Sequence, residues 1–91
     1  MNKGELVDLL AAKTKTTKKE ASAFLEAFID SVTRAVTDGD KVTLVGFGSF
    51  ETMERKAREG RNPKTGESIQ IPAAVMPKFT AGKTFREAVN Q

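Results

Sequence analysis

The 91-residue sequence has no cysteine, histidine, tryptophan or tyrosine. Without imidazole or thiol there is no histidine general base, cysteine nucleophile, zinc-finger or haem ligand set, and no disulfide framework. Carboxylate–lysine catalysis and oxygen-ligated Mg²⁺ or Ca²⁺ survive that cut. Paired acids such as Glu51 and Glu54 lie on a charged strand with nothing to bury them, so they read as a solvated face. No catalytic residue, cofactor or metal site is expected. Long apolar runs are missing as well: nothing approaches the ~18 residues of a spanning helix. Asp8 interrupts the N-terminal apolar run of Leu6, Val7, Leu9 and Leu10, so no signal-peptide core forms. A cytoplasmic location is the expectation. Two nucleotide-like motifs also fail. Gly82-Lys83-Thr84 would need a glycine where Pro77 stands, and Gly46-Phe47-Gly48 would need one at Glu51.

The charge is uneven. Fifteen Lys and Arg against twelve Asp and Glu leave +3. Residues 1–51 hold seven basic and eight acidic side chains, residues 52–65 five and two, and residues 66–91 three and two. The excess therefore sits in residues 52–65, on Arg55, Lys56, Arg58, Arg61 and Lys64. A concentrated basic stretch points to a polyanion, whether nucleic acid or an anionic membrane surface.

Periodicity divides the chain. Asn2 with Glu5 fits a helix cap, and Thr17-Lys-Lys-Glu20 reads as a capping box. After it, Ala21, Phe24, Leu25, Phe28, Ile29, Val32, Ala35 and Val36 keep helical spacing until Gly39. From Lys41 the period becomes two. A strand over 41–45, a tight turn at Gly46-Phe47-Gly48 and a second strand from Ser49 lead into the basic stretch. Gly60-Arg-Asn-Pro-Lys-Thr-Gly66 is dense in turn formers and reads as an apex. The chain returns through Ile69 and Ile71 and a strand over 73–79, and closes with a helix over 81–90. The expected order is α-α-β-β-β-α: one α+β domain with a helical base (1–38), a sheet body (41–51 and 73–79) and a flexible β-ribbon arm (52–75). As a continuous ribbon at ~3.3 Å per residue, the arm would reach roughly 35 Å.

The apolar surplus is six Phe, at 24, 28, 47, 50, 79 and 85. Two helices and three short strands offer too little surface to bury all six, so an intertwined homodimer is expected, with Phe47, Phe50 and Phe79 completing the partner's core. Twofold symmetry would then present two arms. Within each arm, Arg55, Arg58 and Arg61 recur every three residues before Asn62 and Pro63. Arginine binds phosphate bidentately and enters narrow minor grooves. A proline at a ribbon apex is a rigid apolar wedge suited to unstacking a base step.

Gly46-Phe47-Gly48-Ser49-Phe50, Arg55, Arg58 and Glu59-Gly60-Arg61-Asn62-Pro63-Lys64-Thr65-Gly66 resemble, in order and spacing, the signature of the bacterial histone-like HU proteins. The resemblance extends over the whole chain, taking in Met1-Asn2-Lys3, Gly39-Asp40-Lys41-Val42, Ile71-Pro72-Ala73, Pro77, Phe79 and Gly82-Lys83. It implies a homodimer with a helical base, a three-stranded saddle and two arms embracing double-stranded DNA in the nucleoid. By position it implies that Arg55, Arg58, Arg61 and Lys64 line the arm's DNA face, with Asn62 and Pro63 at the intercalating tip and Ile69 and Ile71 in the groove. It further implies phosphate contacts from Lys3, Lys83 and Arg86, and backbone N–H groups offered by the turn of Gly46, Gly48 and Ser49. Phe47, Phe50 and Phe79 match the family's core. The implied activity is non-enzymatic bending and compaction of DNA with little sequence preference, favouring bent, nicked or gapped substrates. RNA binding is left open. A sequence-specific bender resembling integration host factor, or an arm serving a membrane surface or a protein, are the alternatives. Met53 and Ala74 stand where many members carry basic or polar residues, Lys78 returns charge to the saddle, and Phe24 and Phe28 are bulkier than the usual aliphatics.

Overall fold

Why the chain turns into helix where it does is visible at Asn2. In the computed structural model, which describes residues 1–91, the Asn2 side chain accepts the Glu5 N–H at 2.9 Å. The Glu5 carboxylate accepts the Asn2 N–H at 3.4 Å. This reciprocal pair opens helix α1 (Lys3–Thr14). The box expected at Thr17 takes another form: the Thr17 hydroxyl accepts from the Glu20 N–H and donates to the Glu20 carboxylate, both at 3.1 Å. A hydroxyl brings its own proton, and the carboxylate takes that one. Helix α2 (Lys18–Thr37) follows. It ends at Gly39, whose φ of 88° suits glycine. There the Asp40 N–H reaches back to the Ala35 carbonyl at 2.8 Å and the Gly39 N–H to Val36 at 3.0 Å.

The chain divides into two compact units, Met1–Arg34 and Ala35–Gln91. The first is built around Val7, Ala11 and Ala21, with Leu10 and Leu25 packed against them. Its surface carries two ion pairs, Lys3–Glu26 at 3.1 Å and Lys18–Asp8 at 3.3 Å. Both are exposed, so each is worth at most about 1 kcal/mol.

The second unit holds a three-stranded antiparallel sheet in the order β1-β2-β5, with β1 at Val42–Leu44, β2 at Gly48–Arg55 and β5 at Ala74–Ala81. Register assigns its faces. Gly48, Phe50, Thr52 and Glu54 pair with Ala81, Phe79, Pro77 and Val75 on one face; Ser49, Glu51, Met53 and Arg55 pair with Thr80, Lys78, Met76 and Ala74 on the other. On the first face Phe47, Phe50, Phe79 and Phe85 form one aromatic cluster. Phe47 and Phe85 stack 5.3 Å apart, and Phe50 and Phe79 lie 4.9 Å apart. Phe85 comes from helix α3 (Lys83–Val89), whose N-cap Gly82 donates its N–H to the Phe47 carbonyl at 2.8 Å.

Gly48 is buried beneath this cluster. A Cβ there would stand 2.5 Å from the Thr80 carbonyl oxygen and 2.7 Å from the Phe79 ring. Gly48→Ala is therefore expected to destabilise by about 1–3 kcal/mol through overpacking, measured as a fall in denaturation midpoint. An unchanged midpoint would show that β5 yields freely.

Three expected boundaries shift. The return strand runs to Ala81 rather than 79, because Phe79, Thr80 and Ala81 complete the ladder with Phe50, Ser49 and Gly48. The last helix accordingly starts at Lys83. The arm is not one ribbon over 52–75. Its root, through Arg55 and Ala74, belongs to the body sheet, while a separate two-stranded sheet joins β3 (Arg58–Arg61) to β4 (Ser68–Ile71). The ladder breaks at Lys56–Ala57 on one limb and Pro72–Ala73 on the other, where Pro72 has no N–H to give. The order is thus α-α-β-β-β-β-β-α.

No phenylalanine is buried in the single chain: Phe24 is 70% exposed, Phe28 42%, Phe47 43% and Phe79 40%, with Phe50 and Phe85 half-buried. The buried apolar residues are Val7, Ala11, Ala21 and Val36, all of modest size.

Candidate nucleic-acid interface

The outer ribbon presents two chemically different faces. Arg58 pairs with Ile71 and Gly60 with Ile69, so these four residues share one face. Glu59 pairs with Gln70 and Arg61 with Ser68 on the opposite face. The arginines expected along a single face are therefore split: a spacing of three alternates sides in a strand, whose period is two. Glu59 lies on the side away from Arg58, and Arg61 shares that side. Gly60 has a role that its place in the apex motif did not reveal. A Cβ there would come within 2.9 Å of Ile71 Cδ1. Its bare backbone lets both isoleucines lean over β3 and join the Arg58 side chain in an apolar strip edged with charge.

The apex is a built turn. The Asn62 N–H donates to the Glu67 carbonyl at 2.8 Å and the Gly66 N–H to the Asn62 carbonyl at 2.7 Å. Asn62 Oδ1 accepts the Lys64 N–H at 2.9 Å, and Thr65 Oγ1 accepts the Glu67 N–H at 3.3 Å. Gly66, at φ 75°, closes the loop. Asn62 thus spends its side-chain oxygen on holding the turn, and exposed Pro63 is the first residue beyond it in that turn. An Asx turn of this kind is available to asparagine because its short amide reaches the backbone two residues on.

Arg55 lies elsewhere. Its Nη2 donates to the Pro72 carbonyl at 3.1 Å across the ladder break, and its Nε is shielded from solvent without a partner. The solvent-facing side of the body sheet carries Ser49 beside Thr43 and Thr80, then Glu51 opposite Lys78 and 3.4 Å from Lys41, then Met53 opposite Met76. Gly48 is buried and paired in the ladder, so its N–H is not on offer to a ligand; the Phe47 N–H is spent on the Leu44 carbonyl at 3.0 Å. Of the turn, exposed Gly46 and the half-buried Ser49 side chain remain accessible. Lys3 is paired with Glu26, and Lys83 stands 3.9 Å from Glu87, one helical turn on. Lys64 and Arg86 are exposed. Phe85, not among the core residues expected from the sequence, joins Phe47, Phe50 and Phe79 in the aromatic cluster. Its place in the closing helix carries no sign in the sequence of which rings it meets.

A two-stranded ribbon tipped by proline, rooted in a sheet and carrying arginine beside isoleucine, defines an α+β protein built to present an arm to a polyanion. The family model described as bacterial DNA-binding protein matches residues 1–90. DNA-binding protein HU of a Nostoc species is 64% identical over 89 residues, spanning 98% of this chain and 95% of the relative. DNA-binding protein HU of Clostridium pasteurianum is 57% identical over 91 residues, spanning all of both. Among solved structures, an Anabaena HU–DNA cocrystal structure superposes with a TM-score of 0.92 at 64% identity, covering 98% of this chain and 97% of that one. HU from Thermotoga maritima superposes at 0.69 with 34% identity, covering 98% of each. The chain belongs to the bacterial DNA-binding protein family that contains HU.

Proposed function

We propose that this chain is a non-enzymatic architectural protein of the bacterial nucleoid that works as an intertwined homodimer. It binds double-stranded DNA through phosphates and the minor groove, with little sequence preference, and bends it. The observation that carries this reading is the outer ribbon: Pro63 at the tip of a hydrogen-bonded turn, backed by Arg58, Ile69 and Ile71 on one face. A cocrystal of a relative with DNA, at 64% identity, supports the choice of polyanion. The six Phe left open in one chain support the dimer, since a second copy would close the aromatic cluster and the exposed face of α2.

In this mechanism Arg58, Arg61, Lys64 and Arg86 supply phosphate contacts, and Lys3 and Lys83 add to them once they exchange carboxylates for phosphates. Pro63, with no N–H to desolvate, wedges into a base step, as in the minor-groove benders to which this family itself belongs. Unstacking costs a few kcal/mol per step and is offset by the extra DNA wrapped along the flanks. DNA that is already bent, nicked or gapped has part of that deformation in place, so it binds more tightly.

The test is a gel shift comparing intact, nicked and random-sequence duplexes with RNA and with anionic vesicles, alongside the measured mass. Tighter binding to the nicked duplex by a dimer is expected. Equal affinity for vesicles and duplex, or a preference for one short consensus, would overturn the reading. Pro63→Ala is expected to reduce the bend, read by end-to-end fluorescence transfer, more than it reduces affinity. Equal losses would remove the wedge from the mechanism.

A further inference from the structure

We propose that Met53 and Met76 are a modification site on the DNA-contacting side of the body sheet, where oxidation of both thioethers to sulfoxides loosens the bound duplex. This rests on the DNA-binding reading above. The two residues pair in the ladder of β2 and β5, on the side of the sheet opposite the aromatic cluster. Directly opposed side chains in an antiparallel pair stand about 5 Å apart at Cβ, close enough to form one surface. Met53 is 43% exposed and Met76 38%.

The pair contrasts with its surroundings. Inward along the same face come Glu51 with Lys78, joined by Lys41 at 3.4 Å from Glu51, and then Ser49 with Thr80. An exposed apolar pair on a charged face is the informative kind of exposure. The aromatic cluster and the open face of α2 await a second copy of the chain. A dimer closed through the aromatic face leaves the opposite face open, so it does not cover Met53 and Met76. They lie two residues inside the level of Arg55 and Ala74, where both limbs leave the sheet. A duplex gripped by the ribbon passes that root, and its sugar edges are the apolar surface within reach. Methionine suits such a contact because its unbranched, polarizable side chain adapts to irregular surfaces.

A peroxide supplies the oxygen. The sulfur lone pair attacks one peroxide oxygen, the O–O bond breaks and a sulfur–oxygen bond forms. The proton on the transferred oxygen passes to the departing one, so hydrogen peroxide leaves as water. Sulfur gives up two electrons and the peroxide takes them. The product is a polar, chiral sulfoxide that no longer favours apolar contact, and enzymatic reduction restores the thioether. No cation is gained or lost, so the electrostatic part of binding stays as it was.

The test treats the protein with hydrogen peroxide, locates sulfoxides by peptide mass and measures affinity by duplex titration. Met53 and Met76 are expected to oxidise in the free protein, and more slowly under saturating duplex. The oxidised protein should bind about tenfold more weakly, the scale of withdrawing partly exposed apolar side chains from contact. That factor should hold at every salt concentration, with the slope of log affinity against log salt unchanged. Sulfoxide reductases acting on both epimers should restore the affinity. A double variant, Met53→Leu with Met76→Leu, should lose no affinity on peroxide treatment. Met1, 84% exposed, remains in it, so oxidation there is common to both proteins. Undiminished affinity with both sulfoxides formed, equal oxidation rates with and without duplex, or an equal loss in the leucine variant would overturn the site. Dissociation of the oxidised dimer would also overturn it, by making the pair a contact between chains. Absence of duplex binding before peroxide is added would remove the DNA reading, and this site with it.

Discussion

Raising salt from 50 to 200 mM is expected to lower affinity for duplex DNA by about three to five orders of magnitude. Outside the ion pairs at Lys3, Lys18, Lys41 and Lys83, the ribbon and the last helix offer Arg58, Arg61, Lys64 and Arg86. A homodimer doubles these to about eight cations, which at 0.9 per phosphate gives a log–log slope of roughly −7. The net charge of +3 per chain would not suggest such steepness. Counterion release depends on how many phosphates are locally neutralised, not on the total, and acids on the helices do not subtract from contacts made by an arm. Titrations across that range check the value. A slope near zero would leave apolar contact from Pro63, Ile69 and Ile71 as the source of affinity and would remove the electrostatic account.

Phe79→Ala is expected to abolish the dimer at micromolar concentration. Phe79 touches Phe47 at 5.3 Å, Phe50 at 4.9 Å and Phe85 at 6.3 Å, and its ring roofs Gly48. Truncating a phenylalanine in a core costs about 3–5 kcal/mol. A homodimer suffers it twice, against a total stability of about 5–15 kcal/mol. Because folding and association are coupled in such a dimer, the loss appears as a lower, more concentration-dependent melting midpoint and as monomer in sedimentation. Phe24→Ala, at a side chain 70% exposed in the single chain, separates the two sources of stability. If it costs as much as Phe79→Ala, the helical face is as deeply covered in the dimer as the sheet's aromatic cluster. A dimeric Phe79→Ala with an unchanged midpoint would mean that the cluster does not bridge the two chains.

Features governed by neighbours in sequence were legible from the residues. Helix α2 kept its apolar spacing and its glycine stop, because a Schellman ending needs only a left-handed residue and the carbonyls of the preceding turn. The apex motif is local in the same way: Asn62, Pro63 and Gly66 carry their turn chemistry with them. The capping residues were also visible, but which of Asn2 and Thr17 would make the reciprocal pair depended on side-chain protons that a motif does not describe. Spacing along the arm misled where strand geometry entered. Three-residue repeats of arginine look regular in a sequence, yet a pleated strand sends Arg58 and Arg61 to opposite sides.

By itself, the sequence determined that this protein has no thiol or imidazole chemistry, that its excess charge sits in residues 52–65, and that it holds more phenylalanine than one small chain can bury. Each is a matter of composition and local pattern. Only the tertiary structure decided that the arm is broken at Pro72, that Arg55 turns inward to that break, that Gly48 is roofed by Phe79, and that Phe85 closes the aromatic cluster. These depend on cross-strand register, which brings together residues seventeen to thirty-eight positions apart. A one-residue slip in the pairing of β2 with β5 would exchange the aromatic face for the one bearing Lys78. No local preference carries that information. The register is chosen by which side chains can be covered, and that is settled only when the strands meet.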